Sequence, residues 1–438
     1  MSLAKPYLTF IQIINMNVGF FGIQYSFGLQ QSAVNPIYDI LGASPDQIPI
    51  LNLAGPVTGF LIQPLIGALS DKTWHPRWGR RKPYFFVGAL ICSICLFIYP
   101  FSSSLWMAAG LLWLLDAGNN TAMEPYRAFI ADKLDKTQQP TGFLAQSFFT
   151  GFGQTLANLS IFVFPLLFAG KTGSLPNWVY AAFFCGAICS MGSILWSIRT
   201  TKEIPPTAEE LALMKSEPIH LLTPFKDILS SIKEMPKALW QLALVYLFQW
   251  YALFCYWQNS SKSVALSLWN ATPGKNPELY EEAVGWTGLV NGWYNIVTFL
   301  SAFSLVWFAK KYSPKTVHFV CLILAGIGFL VFPQVHNKYL LFVAITGFGI
   351  GWASIMGIPY LMVVNSIPKE KYGIYMGIIN MMIVIPMIIQ NLSFGYILKH
   401  FLNNDPRNAI TWAGIFLIIA ALLTLNIGTK KKIFAEEQ

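Results

Sequence analysis

The sequence predicts an all-α membrane protein of twelve transmembrane helices, arranged as two pseudo-symmetric six-helix bundles. Three observations lead to this fold class. Of the 438 residues, 55% are apolar or aromatic and only 11% are charged, whereas a soluble domain carries about 25% charged residues. The apolar residues form long unbroken runs, which fit helices and lack the alternation of barrel strands. These runs fall into two groups of six, separated by one polar stretch.

The predicted spans follow one another closely along the chain. Six precede the polar stretch, at residues 10–34, 47–70, 83–101, 104–132, 141–169 and 177–199. Six follow it, at residues 238–262, 283–309, 316–334, 339–367, 372–399 and 408–428. Each run can cross a bilayer, for which a helix needs about 20 residues. We therefore predict an N-terminal bundle at 1–199, a cytoplasmic linker at 200–237 and a C-terminal bundle at 238–438.

The basic residues predict the orientation. An even number of spans leaves both termini on one side of the membrane, and cytoplasmic segments carry the excess of Lys and Arg. With both termini cytoplasmic, the inner segments hold 22 of the 29 Lys and Arg residues and the outer segments hold six. This asymmetry explains the net charge of +9 without a nucleic-acid partner. We expect an integral protein of the cell (inner or plasma) membrane, with the lipid bilayer as its surroundings.

A polar stripe runs along the fourth predicted span. At 100° per residue, one face of this helix collects, within about 40° of Asp116, the side chains of Asn120, Met123 and Arg127. Glu124 lies at the edge of the stripe, and Asn119 flanks its other side. Lipid cannot solvate such groups, so the stripe should face water or a polar partner, and ionisable groups in this position are usually functional.

The acidic residues of this stripe are the predicted proton-coupling residues. Asp116 has no Lys or Arg one turn away, and burial without a cation penalises the charged form of a carboxylate. Asp116 therefore either binds and releases a proton during function or stays protonated and bonded to a neighbouring helix. Glu124 and Arg127 are spaced i, i+3 and can pair, as part of the coupling site or as a purely structural couple.

The loop after the second span, GALSDKTWHPRWGRRKP at residues 67–83, brings opposite charges together. Asp71 ends one helix, and Arg80 and Arg81 open the next. Carboxylate and guanidinium groups form strong charge-assisted bonds, so these three residues are predicted to lock the inner ends of neighbouring helices as gating residues. The same basic residues also serve as a positive-inside anchor.

Uncharged amide and indole groups inside the spans fit a sugar ligand. Amides donate to and accept from hydroxyl groups, and an aromatic ring stacks on the apolar face of a pyranose. Any one of these groups also fits helix–helix hydrogen bonding, but the set contains no Lys or Arg, which an organic-phosphate carrier would need. The predicted substrate-binding residues are Gln24, Gln30, Asn35, Asn119, Asn120, Gln154, Trp257, Gln258, Asn291, Asn295, Trp352 and Asn380. We expect no metal and no cofactor.

Four stretches resemble the major facilitator superfamily, and in particular its sucrose-transporter-like branch of glycoside:cation symporters. They are residues 22–36, 56–85, 114–134 and 375–386, with LLDAGNNTAMEPYRAFIADKL in the fourth span as the most branch-specific. The resemblance implies a monomeric sugar transporter that works by alternating access. It also implies that Asp116 is the proton-binding residue, and it matches the family's span-one Gln positions to Gln24 and Gln30 and its Asn pair to Asn119 and Asn120.

The chain departs from the plant members of this branch at two places. Plant members have two Asp residues around the end of span seven, where this chain has Ser260 and Lys262. Glu124 stands where the plant pattern has a small residue, which resembles bacterial-type members, as do the short tails. The expected substrate is therefore sucrose or another glucoside such as maltose.

The leading functional prediction is a carrier that imports a disaccharide or related glucoside together with a proton. A sodium-coupled or uncoupled sugar carrier with the same fold stays open, because one Asp with amide groups can also supply oxygen ligands to sodium. A non-transporting sugar sensor on the same scaffold is a remote alternative. A membrane glycosyl or acyl transferase is disfavoured, and we predict no enzyme, because every histidine lies at a span end or in a loop: His75, His220, His318, His336 and His400.

Overall fold

The structure, a computed structural model, describes residues 5–135, 137–216, 226, 230, 232–363 and 372–428. Within those residues, twelve long helices lie where the sequence predicts spans: α1 (Phe10–Ser32), α4 (Ala54–Asp71), α5 (Lys82–Ile98), α6 (Leu105–Lys133), α7 (Gln139–Leu167), α8 (Asn177–Thr200), α10 (Lys237–Val264), α11 (Pro277–Lys311), α12 (Pro314–Val331), α13 (Leu340–Val363), α14 (Tyr372–Phe401) and α15 (Pro406–Thr424). The all-α prediction is confirmed.

Short elements connect or extend these helices. Three are short α-helices: α2 (Val34–Ile40), α3 (Ile48–Leu51) and α9 (Ala208–Ser216). Single 3₁₀ turns at Tyr99–Phe101 and Phe332–Gln334 extend α5 and α12, and a π-helical turn at Ala265–Trp269 extends α10. The antiparallel strands β1 (Lys171–Thr172) and β2 (Leu175–Pro176) form a small hairpin before α8.

Nine of the described helical segments are long and apolar enough to cross a membrane. The other three long helices of the described chain, α1, α6 and α11, are diluted by amide and acidic side chains. The three least apolar helices thus include predicted site residues: Gln24 on α1, Asp116 on α6 and Asn291 on α11.

Two helix starts differ clearly from the prediction: α4 begins at Ala54 rather than at residue 47, after the short helix α3, and the eighth span begins earlier than predicted. The prediction begins at residue 283, whereas α11 begins at Pro277 with Glu278 in its first turn. A carboxylate there is favoured by the partial positive charge of a helix N-terminus, so the helix extends past the apolar run. The tenth predicted span ends at residue 367, but residues 364–367 lie outside the described residues.

Unit 1 of the chain comprises Met1–Val34 and Ala54–Phe225. Its helices pack as α1 on α7 and α8, α4 on α6, and α5 on α6 and α8. Aromatic side chains fill its core: the ring of Tyr126 stacks on Phe85 with centroids 4.5 Å apart, and its hydroxyl donates to the carbonyl oxygen of Met16. This packing ties α6, the helix with the polar stripe, to α5 and α1.

Unit 2 comprises Asn35–Leu53 and Lys226–Gln438. Its helices pack as α10 on α14 and α15, α12 on α13 and α15, and α11 on α13, with α3 against α14. His318, predicted at a span end, lies in the second turn of α12 and is fully buried. Its Nδ1 is 2.8 Å from Ser354 Oγ and its Nε2 is 3.2 Å from Gln249 Oε1. The domain boundaries predicted at 199 and 238 stay a prediction, because much of the stretch between them lies outside the described residues.

Candidate functional site

The polar stripe of α6 lies against a glycine-lined face of α4. A Cβ atom added at Gly55 would stand 3.5 Å from Oδ2 of Asp116, and one added at Gly67 would stand 3.8 Å from Cγ of Glu124. Glycine brings the α4 backbone close to the acidic side chains of α6 without covering them. The two acidic side chains of the stripe therefore border on protein, as the cost of polar groups in lipid requires.

Asn120 forms the hydrogen-bonded centre of this contact. Its Oδ1 accepts a hydrogen bond of 2.6 Å from Gln63 Nε2 on α4. Its Nδ2 donates to the carbonyl oxygen of Asp116 at 2.9 Å and to Thr58 Oγ1 at 3.2 Å. Both the oxygen and the nitrogen of the Asn120 side chain are therefore hydrogen-bonded, and these bonds fix the distance between α4 and α6 beside Asp116.

Asp116 itself is buried without a cation. Its side chain is 3% exposed, and among the described side chains no Lys or Arg forms an ion pair with it. The side-chain amide of Gln30 on α1 lies beside the carboxyl group, although Gln30 Nε2 meets regular hydrogen-bond geometry with no described atom. A carboxyl group in these surroundings is disfavoured in its charged form, since transfer out of water penalises an isolated carboxylate.

The i, i+3 couple of Glu124 and Arg127 is absent. Among the described ion pairs, all within 4.0 Å, none joins these two residues, and Arg127 is exposed while Glu124 is half-buried. An exposed ion pair gains little, because holding two long side chains in one geometry costs entropy. The Glu124 carboxyl group therefore stands beside Gly67 without a fixed partner from its own helix.

Asn119 turns to the other side of α6 and is fully buried. Its Nδ2 donates to Ser26 Oγ on α1 at 2.9 Å, and its Oδ1 accepts a contact of 3.1 Å from Cys92 Sγ on α5. This amide connects three helices of unit 1. Asn119 and Asn120, adjacent in sequence, thus have different surroundings.

Gln24 and Gln154 form a second amide pair in unit 1. Gln154 Nε2 on α7 donates to Gln24 Oε1 on α1 at 3.0 Å, and both side chains are buried. The side-chain NH2 group of Gln24 and the side-chain oxygen of Gln154 do not take part in this bond, and each can bond to a further group.

In unit 2, the predicted amides of α10 and α11 are bound into local networks. Gln258 Nε2 donates to Asn391 Oδ1 at 2.7 Å, and Gln258 Oε1 accepts from Gln390 Nε2 at 3.0 Å. Asn291 Oδ1 accepts from the hydroxyl of Tyr256 at 2.8 Å. These contacts hold α10 to α14 and to α11.

Two further predicted amides have their own partners. Asn295 Nδ2 donates to the carbonyl oxygen of Asn291 at 3.0 Å, one turn back on α11. Asn35 accepts a hydrogen bond of 2.6 Å from Asn52 Nδ2 and donates to the carbonyl oxygen of Trp257 at 3.3 Å. Asn380 lies half-buried on α14.

Three tryptophans form an edge-to-face group in unit 2. The ring of Trp352 lies 5.5 Å from that of Trp257 at 89° and 5.7 Å from that of Trp250 at 79°. Trp250 and Trp257 are 7% and 9% exposed, and Trp352 is more open. The indole N–H of Trp250 meets hydrogen-bond geometry with no described atom. That of Trp257 lies near the side chain of Tyr294 but outside such geometry.

The three predicted gating residues meet at one end of unit 1. Asp71 Oδ1 accepts from Arg80 Nη2 at 3.0 Å and from Arg81 Nη2 at 2.7 Å. Arg81 also donates through Nε to Asp132 Oδ2 on α6 at 2.7 Å. Burial acts to lower the pKa of the Arg81 guanidinium, but the hydrogen bonds and charges of Asp132 and Asp71 outweigh it and raise that pKa. The network joins the ends of α4, α5 and α6.

Glu203, which follows α8, caps this network and is not among the residues predicted from the sequence. Its carboxylate accepts the backbone N–H groups of Arg80, Arg81 and Lys82 at 2.8, 2.9 and 3.0 Å. The first N–H groups of α5 have no partner within the helix, so a distant carboxylate supplies one. Gly79 has a φ of +79°, and a Cβ added there would stand 2.5 Å from Glu203 Cδ. Glycine is needed there for both its backbone angle and the close approach.

The family model of the Major Facilitator Superfamily matches residues 16–390 and 260–430. The chain belongs to this superfamily. Its membership confirms the predicted fold family and makes the chain an integral membrane protein rather than an enzyme.

Relatives in this superfamily include plant sucrose transport proteins. The sucrose transport protein SUT5 of Oryza sativa subsp. indica is 23% identical over 472 residues, which cover 92% of this chain and 85% of the relative. The sucrose transport protein SUC3 of Arabidopsis thaliana is 29% identical over 217 residues, which cover 43% of this chain and 36% of the relative. These similarities confirm the resemblance predicted from the four stretches.

Solved structures share the fold at low identity. The nucleoside transporter NupG superposes with a TM-score of 0.71 at 13% identity, covering 95% of this chain and 98% of that chain. The inward open xylose transporter XylE from E. coli gives a TM-score of 0.64 at 14% identity, with 96% of both chains covered. At such identities the likeness shows the fold alone.

Proposed function

We propose that this chain is a secondary active transporter that imports a disaccharide or related glucoside, of the sucrose or maltose class, together with a proton by alternating access. The observation that carries the proposal is the surroundings of Asp116: a buried carboxyl group with no ion-pair partner among the described side chains, beside the amide of Gln30 and the bare glycine face of α4. The similarity to sucrose transport proteins supports the sugar class.

The sugar-binding part of the proposal is supported by unit 2. The edge-to-face group of Trp250, Trp257 and Trp352 offers ring surface for a pyranose, and two buried indole N–H groups are left to donate to hydroxyls. An indole nitrogen is a donor only, so a hydroxyl oxygen is a suitable acceptor. In unit 1, the Gln24–Gln154 pair has side-chain groups with remaining hydrogen-bond capacity that can likewise bond to hydroxyls.

The coupling part of the proposal concerns the charge of Asp116. Protonation removes a buried negative charge and converts the carboxyl group from an acceptor into a donor as well. A bound proton drives a conformational change only through its different affinity for the two states, and the exposure of Asp116 to water is the property that can differ between them. Glu124 and Arg127, further along the same helix, are proposed as secondary members of the coupling site.

The gating part of the proposal assigns Asp71, Arg80 and Arg81 to the inner end of unit 1, with Asp132 and Glu203 as added members. Several charge-assisted bonds joining three helix ends can bias one conformation over another. We further propose that the carrier works as a monomer in the cell membrane with both termini cytoplasmic, which the distribution of Lys and Arg supports.

Transport by the purified protein in liposomes tests these proposals. A panel of labelled mono- and disaccharides is offered with and without an inward proton gradient, and a glucoside is expected to accumulate only with the gradient. Asp116→Asn should abolish accumulation while retaining sugar exchange, because the amide holds the neutral form permanently. Glu209→Gln, a change in an exposed acid of α9, is the matched control and should accumulate sugar normally.

Three outcomes would contradict the proposal at different points. Uphill uptake by Asp116→Asn at the wild-type level removes the coupling role of this residue. Accumulation that follows a sodium step and ignores a pH step assigns the coupling to sodium. The absence of flux for every sugar of the panel, in protein that is folded by its thermal transition, refutes the transport function.

A further inference from the structure

A segment of the N-terminal half of the sequence is docked on unit 2. Residues 35–53, here called the docking segment, connect α1 to α4, two helices of unit 1, yet their contacts place them in unit 2. The Asn391 side chain on α14 donates to the carbonyl oxygen of Asn52 at 3.4 Å. A Cβ added at Gly395 would stand 2.2 Å from the carbonyl oxygen of Asp46. The backbone of the segment therefore rests directly on α14.

A buried ion pair anchors the same segment to α10 and α11. Lys262 Nζ on α10 lies 2.5 Å from Asp39 Oδ1, with the two side chains 10% and 2% exposed. The hydroxyl of Tyr280 on α11 donates to the other carboxylate oxygen, Oδ2. Both oxygens of Asp39 thus face a partner from unit 2. Neither the polar stripe nor the tryptophan group uses these residues.

Separating this ion pair costs less free energy than separating an apolar contact in the same place would. Removing two charges from water costs several kcal/mol per ion, and their attraction offsets that cost only in part. When such a pair separates into water, each ion regains its hydration, whereas an apolar pair gains nothing on separation. A contact of this kind holds a position well but contributes little net stability to the docked state.

We propose that Asp39, Lys262 and Tyr280 form a latch that holds the docking segment on unit 2 in this conformation and releases it in another conformation of the transport cycle. The inference rests on the proposed transport function. The covalent connections of the segment to α1 and α4 give the reason: any movement of these helices against unit 2 pulls on residues 35–53. A permanent cross-link at Asp39 would resist that movement, and a releasable one permits it.

The first test compares single and double substitutions in the full-length protein. Lys262→Met leaves a buried carboxylate without its cation, so hydrogen exchange of the docking segment should rise at least tenfold. The double variant Asp39→Leu/Lys262→Met replaces the pair by apolar side chains. It should fold, protect the segment at least as well as the wild type, and take up sugar about tenfold more slowly because release is now costly. Wild-type uptake together with wild-type exchange in the double variant would overturn the latch.

A second test remains valid even if the variants at Asp39 and Lys262 fail to fold. Asp46 Oδ2 and Lys399 Nζ on α14 lie 3.6 Å apart, and their side chains are 22% and 59% exposed, so cysteines at both positions are open to a short bifunctional thiosulfonate reagent. Bridging Asp46→Cys/Lys399→Cys should lower sugar uptake at least tenfold, and reductant should restore it. Asp46→Cys and Lys399→Cys alone, treated with the same reagent, should transport normally.

Two results of the bridging experiment would contradict the proposal. Full bridging with unchanged uptake means that the segment stays on unit 2 throughout the cycle. Labelling of both single variants without bridging in the double variant means that the segment is not docked on α14. Hydrogen exchange and bridging need no sugar, so protein that transports nothing would refute the proposed function while these readouts still report on the docking.

Discussion

Glu203 makes a testable contribution that can be worked out from its three bonds. Its carboxylate accepts the N–H groups of Arg80, Arg81 and Lys82 at 3.0 Å or less. A hydrogen bond to a charged group is worth about 1.5–3 kcal/mol, and one to a neutral group about 0.5–1.5 kcal/mol. Negative charge at a helix N-terminus adds about 0.3–1 kcal/mol.

Two substitutions separate the charge from the acceptor. Glu203→Gln keeps a carbonyl oxygen and loses the charge, so the free energy of opening the α5 N-terminus should fall by about 1.4 kcal/mol if the difference between a charged and a neutral hydrogen bond is counted for one of the three bonds only. Glu203→Ala removes every side-chain acceptor, and the expected loss is at least about 3 kcal/mol, the value of one strong hydrogen bond to a charged group. Since 1.4 kcal/mol is a factor of ten, amide exchange should rise about tenfold in the first variant and more than a hundredfold in the second.

Hydrogen-exchange mass spectrometry on peptides spanning residues 78–85 measures this effect locally. Glu209→Gln is again the matched control, because it removes one acid after α8 that is exposed, and its exchange should equal that of the wild type. If Glu203→Ala changes exchange in this region by less than twofold, the three N–H groups do not depend on the carboxylate. The capping role would then be wrong.

Three further predictions concern packing and capping. A double-mutant cycle with Gln63→Leu and Asn120→Leu, read by chemical denaturation, should give a coupling free energy of about 0.6–1.7 kcal/mol, as for polar pairs in membrane helices; a value of zero contradicts their 2.6 Å bond. Gly328→Ala should lower the midpoint of thermal unfolding by several degrees, because its Cβ would stand 2.3 Å from a backbone oxygen of α13, whereas Gly110→Ala meets nothing within 4 Å and should not. Asp405→Asn should weaken the start of α15 near pH 7. Burial acts to raise the pKa of Asp405, but its bonds to Arg407 lower that pKa overall, so the stabilising charge is present above about pH 4 and is lost as pH falls further. A difference in unfolding midpoint that does not change with pH contradicts this prediction.

The positions of the helices could be predicted because bilayer chemistry acts on the sequence directly. A run of apolar residues must hydrogen-bond its own backbone in lipid, and the breaks between runs carry the charges. Among the ends that the prediction missed is one where local polar chemistry extends a helix, as Glu278 does at the start of α11. Such ends depend on the helix dipole rather than on hydropathy.

The candidate site could be predicted only in part, because one helix face does not identify its neighbour. The sequence indicates that the stripe of α6 needs a polar partner, but not that Gln63 on α4 supplies it. The prediction also assigned both Asn119 and Asn120 to substrate binding, although neighbouring residues point about 100° apart on a helix. Glu203 is separated from Arg81 by 122 positions, and no periodicity links a carboxylate to a helix start at that distance.

The glycines of α4 can be explained only together with the acidic residues of α6 that they contact. A glycine within a helix costs roughly 0.5–1 kcal/mol relative to alanine, so a glycine face is a local disadvantage that some contact must offset. A Cβ at Gly55 would still fit, at 3.5 Å from the Asp116 carboxyl group, so steric exclusion does not require glycine there. What glycine leaves is a carboxyl group bordered by bare backbone instead of a methyl group. The proton binding and release proposed for Asp116 require polar access on at least one side of the carboxyl group, and at Gly55 the α4 helix places no side chain over it.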